Sequence, residues 1–299
     1  MTEASPARAA RDDAPGTALA YSPRVSKTSE LMRICAEAAR LGGEVLRDAF
    51  GRRRTIEYKG QGKIDLVTDA DRASEAALLE FLGRACPGSA ILSEEAGASG
   101  PAGSSLRFIV DPLDGTTNYA HGVPQFAVNV AVEDARGLAA GATFDPVRGE
   151  LFLCGRGEGA TLNGEGVKVS NCVDIMKALL ATGFPYDVHQ EPVLPLRLFA
   201  AFMTRAGAIR RMGSAALDLA YVACGRYDGF WELNLKPWDV AAGTLLVREA
   251  GGAVADFAGD EERVLKGGEI CAACPGLKTV LFEVLAAMRA GRAATGPKG

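Results

Sequence analysis

The sequence predicts a mixed α and β molecule, its first half α+β and its second half α/β, and three observations carry that expectation. Two helical periods come first. A block of alternating apolar and polar residues follows, broken at Asp145-Pro146 and Asn163-Gly164 as an antiparallel sheet would be. After about Asn171 strand-like and helix-like segments take turns, the order expected where helices pack on a sheet.

Residues 1–27 are rich in Ala, Pro and Ser with charges of both signs and show no sustained period, so a disordered tail is expected there. From Ser29 the pattern changes: Leu31, Ile34, Cys35, Ala38, Leu41, Val45 and Leu46 recur at helical spacing, and Gly51 after Phe50 supplies a stop. Ala73, Ala77, Leu78 and Phe81 mark a second helix that starts near Asp71 and closes at Pro87-Gly88. Ala90-Ile91-Leu92 is then a strand that delivers Glu94, and Arg107-Phe108-Ile109-Val110 is a buried strand with Asp111 at its C-terminal end. Residues 126–132, 141–144 and 151–154 supply the antiparallel sheet. Beyond it come a strand at 178–182, a helix near 193–206, another at 214–224, the apolar pair Phe230-Trp231 leading to Glu232, and a helix at 239–249. The units expected are the tail (1–27), an α+β half (28–170), an α/β half (171–291) and a flexible C-terminus (292–299).

At 299 residues, 48% apolar and 23% charged, the chain has the make-up of an ordinary globular enzyme with a large core. A formal charge of −4 argues against a general nucleic-acid or anionic-membrane surface, which needs concentrated Lys and Arg. No apolar run approaches a membrane span and residues 1–27 lack the apolar centre of a signal peptide, so the expected location is the cytoplasm. Seven scattered cysteines, an odd number in mostly apolar surroundings, suit reduced buried thiols, and Cys271-Ala272-Ala273-Cys274 has no second pair to make a zinc site. With His121 and His189 as the two histidines, histidine-based phosphoryl chemistry is starved and carboxylates with metal remain.

The stretch Asp111-Pro112-Leu113-Asp114-Gly115-Thr116-Thr117-Asn118 is the most informative. It sets two carboxylates three residues apart around a turn, where they repel unless cations neutralise them, and hard divalent ions such as Mg²⁺ prefer carboxylate, carbonyl and water oxygens. Gly115 and Thr116 then offer N–H groups to an anion, as a helix start does.

These residues resemble the inositol monophosphatase family of Mg²⁺-dependent, lithium-sensitive phosphatases, within the fructose-1,6-bisphosphatase-like superfamily. Further strings agree and fall in order: Asp65-Leu66-Val67-Thr68-Asp69-Ala70-Asp71, Ser93-Glu94-Glu95, Gly213-Ser214-Ala215-Ala216-Leu217-Asp218-Leu219-Ala220, and Trp238-Asp239-Val240-Ala241-Ala242-Gly243 continuing to Glu249-Ala250-Gly251-Gly252. The resemblance runs from about residue 29 to about residue 289, and within the family it is nearest to bacterial inositol-1-phosphatases. It implies a layered α-β-α-β-α sandwich of the sugar-phosphatase type, which periodicity alone does not select.

By resemblance, Glu94, Asp111 and the Leu113 carbonyl would hold one Mg²⁺, Asp111, Asp114 and Asp239 a second, and Glu94 with Asp71 a third, weaker ion. Thr116, backed by Asp71 or Glu94, would orient and deprotonate the attacking water, and Gly115 and Thr116 would face the phosphate. Gly213, Ser214, Ala215 and Glu232 would contact the polyol leaving group, with Lys59, Asp65 and Thr68 around the metal ligands. Asp71 and Asp239 could also serve as helix caps. Arg210, Arg211 and Lys236 either hold a second phosphate or are surface or interface charges. The activity implied is hydrolysis of inositol-1-phosphate or a similar polyol phosphate. Fructose-1,6-bisphosphate, histidinol phosphate or a 3′-phosphoadenosine nucleotide are alternative substrates, and association with RNA polymerase is an alternative role. A homodimer is implied as well.

Overall fold

Small residues decide how closely the first helix packs. The computed structural model describes residues 1–2, 26–51, 56–58 and 66–291, the side chains of 56–58 and 66–68 excepted. Most of the expected N-terminal tail, the C-terminus at 292–299, Lys59, Asp65 and the Thr68 side chain therefore lie outside the described residues. Helix α1 (Lys27–Ala49) starts where Ser26 Oγ accepts the Ser29 N–H at 3.0 Å, and it buries Leu31, Ile34, Cys35, Ala38 and Leu46. On the same helix Gly42 and Gly43 are buried, and a Cβ on Gly43 would overlap the Phe144 ring.

A two-stranded ribbon, β1 (Ile56–Tyr58) and β2 (Leu66–Thr68), leads into α2 (Asp69–Ala85). The helix opens two residues before the expected start, so Asp71 sits inside its first turn and is not its N-cap. Next come β3 (Ala90–Ser93), β4 (Gly97–Ser99), β5 (Arg107–Asp114), α3 (Thr116–Ala120), β6 (Ala127–Asp134), β7 (Gly137–Asp145), β8 (Glu150–Gly155), β9 (Gly159–Leu162) and β10 (Glu165–Gly166). They form an eight-stranded sheet in the order β10-β9-β8-β7-β6-β5-β3-β4, antiparallel except where β3 runs parallel to β5. Strand β5 runs on past Asp111 to Asp114, and its pairing with β6 shifts between those two residues. Pro112 lies inside that shift and has no N–H to give to a ladder.

The remaining strands are β11 (Leu179–Thr182), β12 (Ala208–Arg210), β13 (Gly229–Leu235), β14 (Ala253–Ala255) and β15 (Gly268–Ala273), in the order β12-β11-β13-β15-β14. Parallel pairing of β11 with β12 and β13 is joined by antiparallel β15 and β14, so this sheet is mixed. Its helices are α4 (Val193–Met203), α5 (Ala215–Ala223), α6 (Pro237–Glu249) and α7 (Lys278–Arg289). Cys271 and Cys274 are fully buried free thiols at the end of β15.

Helices α1 and α2 cover one face of the large sheet. Helices α5 and α6 lie between it and the small sheet, and α4 and α7 cover the far side. The result is the α-β-α-β-α sandwich. Close approach at the centre depends on Gly141 of β7, where a Cβ would come within 2.9 Å of the Ala242 backbone on α6. That contact brings the α6 N-terminus against the ends of β5 and β6.

Candidate metal centre

Five acidic side chains meet where β3, β5, α2, α5 and α6 converge. Asp111 and Asp114 flank the shift in β5, Glu94 follows β3 and donates its N–H to the Val110 carbonyl at 3.2 Å, Asp71 comes from α2, and Asp239 from the first turn of α6. Asp111 Oδ1 accepts the Leu113 N–H at 3.0 Å, which folds the turn back on itself. Asp114 Oδ2 accepts the Ser214 hydroxyl and, at 3.0 Å, the Ala216 N–H at the start of α5. Asp239 Oδ2 accepts the Lys236 N–H at 2.7 Å, so it caps its own helix from within the first turn while facing the other acids.

The electrostatics are those of anions crowded together. Burial, then Glu94, Asp114 and Asp239, push Asp111 well above the usual carboxylate range, against the Leu113 N–H. Asp239 is raised by burial and by Asp114, Glu94 and Glu232, with the Lys236 N–H opposing. Burial lifts Asp114 to about 6, opposed by the Ser214 hydroxyl and the Ala216 and Ala215 N–H groups. Among the described residues no three His, Cys, Asp or Glu side chains are gathered tightly enough to enclose a metal ion by themselves. Carboxylates brought together from separate elements without forming a closed cage suit Mg²⁺, which keeps several waters and is not caged by protein. The donor set therefore fits Mg²⁺ in kind, since a divalent cation relieves the repulsion that Glu94 and Asp114 exert on Asp111 and Asp239.

Thr116 is buried, its Oγ1 3.3 Å from Asp71 Oδ1 and 3.0 Å from the Leu113 carbonyl oxygen, and its proton goes to one or the other. Gly115 has φ 90°, and a Cβ there would come within 2.9 Å of the Gln125 carbonyl. Ser214 is held by Asp114, and Gly213 by Asn118, whose Nδ2 reaches the Gly213 carbonyl at 3.1 Å and the Met212 and Gln125 carbonyls at 2.8 Å. Glu232, on β13, is raised to about 8 by burial and by Asp114, with Arg211 opposing. Arg210, Arg211 and Lys236 are exposed.

Several supporting residues carry no signal in the motifs. Glu75, buried on α2 one turn after Asp71, accepts the Ser93 hydroxyl at 2.5 Å and the Glu95 and Ala96 N–H groups at 3.2 and 2.9 Å, and so fixes the turn that carries Glu94. Its neighbour Ser74 donates to the Pro112 carbonyl at 2.8 Å. Gly183 is open because Glu232 lies over it: a Cβ there would overlap that carboxylate. The i, i+4 spacing of two acids on one helix was the available hint for Glu75. For Gly183 there was none.

The sequence profile of the inositol monophosphatase family matches residues 27–290. The Nus factor SuhB of Pseudomonas aeruginosa is 45% identical over 242 residues, 79% of this chain and 89% of that protein. The Nus factor SuhB of Escherichia coli is 39% identical over 259 residues, 87% of this chain and 96% of that one. Among solved structures, the extragenic suppressor protein suhB from Bartonella henselae superposes with a TM-score of 0.79 at 40% identity, over 85% of this chain and 97% of its own. The inositol monophosphatase from Anabaena gives a TM-score of 0.79 at 38% identity, over 87% and 97%.

Proposed function

The chain belongs to the inositol monophosphatase family, and from that premise we propose that it is a Mg²⁺-dependent phosphatase hydrolysing inositol-1-phosphate or a related small polyol phosphate. The observation that carries this reading is the convergence of Glu94, Asp111, Asp114 and Asp239 at one point of the fold, close enough that their charges push the Asp111 and Asp239 carboxyls up. Bound Mg²⁺, as two or three ions, would supply a water acidic enough to attack at neutral pH and would neutralise the phosphoryl oxygens. Glu94, Asp111 and the Leu113 carbonyl would hold a first ion, Asp111, Asp114 and Asp239 a second, and Glu94 with Asp71 a third. Thr116, whose hydroxyl lies within reach of the Asp71 carboxylate, would orient the attacking water and relay its proton to Asp71 or Glu94. The N–H groups of Gly115 and Thr116 face the phosphate, and attack is in line with no covalent enzyme intermediate.

On the leaving-group side Gly213, Ser214 and Ala215 line the entry and Glu232 accepts hydrogen bonds from polyol hydroxyls. Release of inorganic phosphate from inositol-1-phosphate should require Mg²⁺ and fall in millimolar Li⁺, and full activity in EDTA would refute the reading. A panel adding fructose-1,6-bisphosphate, histidinol phosphate and a 3′-phosphoadenosine nucleotide ranks the substrates, and preference for a bisphosphate would assign Arg210, Arg211 or Lys236 to its second phosphate. Glu232→Gln should weaken turnover of polyol phosphates by roughly 10-fold or more while sparing p-nitrophenyl phosphate, which makes no such contact. Equal losses on both would instead put Glu232 in the metal shell or the fold.

A second reading rests on the relatives named Nus factor SuhB: association of this chain with RNA polymerase, independent of turnover. Pull-down of RNA polymerase by wild type and by Asp111→Asn alike supports it, and no capture by either excludes it. Direct nucleic-acid binding is not part of it, given the net charge of −4. Among the described residues no helix is long and apolar enough to cross a membrane, and both readings go with a cytoplasmic location.

We also propose a homodimer. Helix α4 exposes Val193, Leu196, Ala200 and Met203 in one line at helical spacing, an apolar face that no other element covers among the described residues of the protomer. Leu196→Glu should lower the mass measured by light scattering from dimer to monomer. An unchanged dimer would move the interface elsewhere.

A further inference from the structure

Asp111, Asn129 and Thr143 form a row across β5, β6 and β7: Asn129 is the direct ladder partner of Asp111 on one side and of Thr143 on the other. Directly opposed residues on antiparallel strands project to the same face, so the three side chains stand side by side, and all three are buried. Thr143 Oγ1 donates to Asn129 Oδ1 at 2.7 Å, and Asn129 Nδ2 donates to the Trp238 carbonyl at 2.6 Å and lies 3.4 Å from the Asp239 carbonyl. The two bonds fix which way the amide points: a hydroxyl on one side and two carbonyls on the other leave one orientation that satisfies them all. Asn129 thus grips the backbone of the α6 turn that carries Asp239, while the Lys236 N–H grips the Asp239 carboxylate.

We propose that Asn129 is a positioning residue that sets the separation of Asp239 from Asp111 across the junction of the large sheet and α6. The inference rests on the metal-site reading above. Strand β5 and helix α6 are far apart in sequence and are not bonded to each other by these acids, which repel. Without a fixed link, that repulsion would push the α6 turn away from β5 and open the site before a cation arrives. The Thr143–Asn129–Trp238 chain of hydrogen bonds opposes that movement, and it does so from the strand residue next to Asp111. Groups that orient metal ligands typically change metal affinity by about 10- to 100-fold when removed.

The test measures Mg²⁺ binding by calorimetry on the metal-free full chain, with melting temperature in EDTA as the check on folding. Asn129→Leu, and to a smaller degree Thr143→Val, should weaken Mg²⁺ binding by about 10-fold or more and raise the Mg²⁺ needed for half-maximal turnover, while KM for substrate at saturating Mg²⁺ stays near wild type. Combined with Asp239→Asn, Asn129→Leu should add little further, because it acts through the same ligand. If Asn129→Leu lowers the melting temperature but leaves Mg²⁺ affinity at the wild-type value, or if the two losses multiply fully, Asn129 is a packing residue and the inference is wrong. If Asp239→Asn itself leaves Mg²⁺ affinity unchanged, the metal assignment fails and takes this inference with it. Should Asn129→Leu not fold, Thr143→Val carries the same test, its lost bond being one step further from Asp239.

Discussion

Asp111→Asn is expected to lower kcat by roughly 10²-fold or more and, in the same protein, to raise the melting temperature measured in EDTA. Both follow from one fact about the site. Asp111 is buried among Glu94, Asp114 and Asp239, all of which raise its pKa, so folding at neutral pH forces it either to keep a charge beside three others or to take up a proton. An amide removes that cost. Its oxygen can still accept the Leu113 N–H that Asp111 Oδ1 accepts at 3.0 Å, so the turn is kept. What is lost is the anionic oxygen pair that would serve two cations in the proposed site, and a neutral amide is a poor ligand for Mg²⁺. Stability and activity therefore move in opposite directions, as they do where a site is strained for its function. A kcat within a few-fold of wild type at saturating Mg²⁺ would sink the metal assignment. A loss of kcat with a marked drop of melting temperature in EDTA would show that Asp111 holds the fold.

Much of the candidate site was legible in the chain itself because its proposed ligands come in short contiguous strings. Asp111, Leu113, Asp114 and Thr116 lie within six residues of each other, the apolar run Phe108-Ile109-Val110 before them announces the strand, and small, hydroxyl-bearing residues announce the helix start. The helices were legible from period, with ends set by caps: Ser214 closes α5 at its N-terminus by accepting the Leu217 N–H, as a Ser before an apolar run suggests. Boundaries failed where tertiary bonds decide them. Strand β5 continues to Asp114 because Asp114 pairs with Ala127 on β6, a contact that period-2 reading of residues 107–110 cannot supply. Helix α4 stops at Met203, three residues short of the expected end, where the chain turns into β12 beside β11. The roles of Asn129, Glu75 and Gly183 were out of reach for a related reason, Glu75 offering no more than its i, i+4 spacing from Asp71: each matters through a partner far along the chain, and strand register and helix packing bring the two together. An Asn inside an apolar strand between Val128 and Val130 is a local conflict, and such conflicts are where functional constraint is expected.

In EDTA the protein should be more stable at about pH 5.5 than at about pH 8, and Mg²⁺ should raise the melting temperature most at the higher pH. The sign comes from the direction of the shifts. Asp114 is raised to about 6 and Glu232 to about 8, against unfolded-chain values near ~3.9 and ~4.3. A carboxylate with a raised folded pKa binds its proton more tightly in the native state. Its penalty is absent below the unfolded pKa, grows as pH rises, and is complete above the folded pKa. For these groups the loss of stability spans from about pH 4 to about pH 8. Asp111 and Asp239, shifted the same way, add to it. Ion-paired Asp134 and Glu150 act in the opposite sense, because their pKa values are lowered by Arg156 and Arg226. Their contribution is lost only as pH falls below the ordinary carboxylate range, outside the window compared. Mg²⁺ displaces protons from its ligands, so its stabilising effect grows with pH until they are all ionised. Thermal melts at three pH values with EDTA and with Mg²⁺ test this directly. The slope in EDTA should flatten in Asp111→Asn. A melting temperature in EDTA that climbs from about pH 5.5 to about pH 8 would mean that these carboxylates do not repel one another in the folded protein, and would remove the physical ground for placing cations among them.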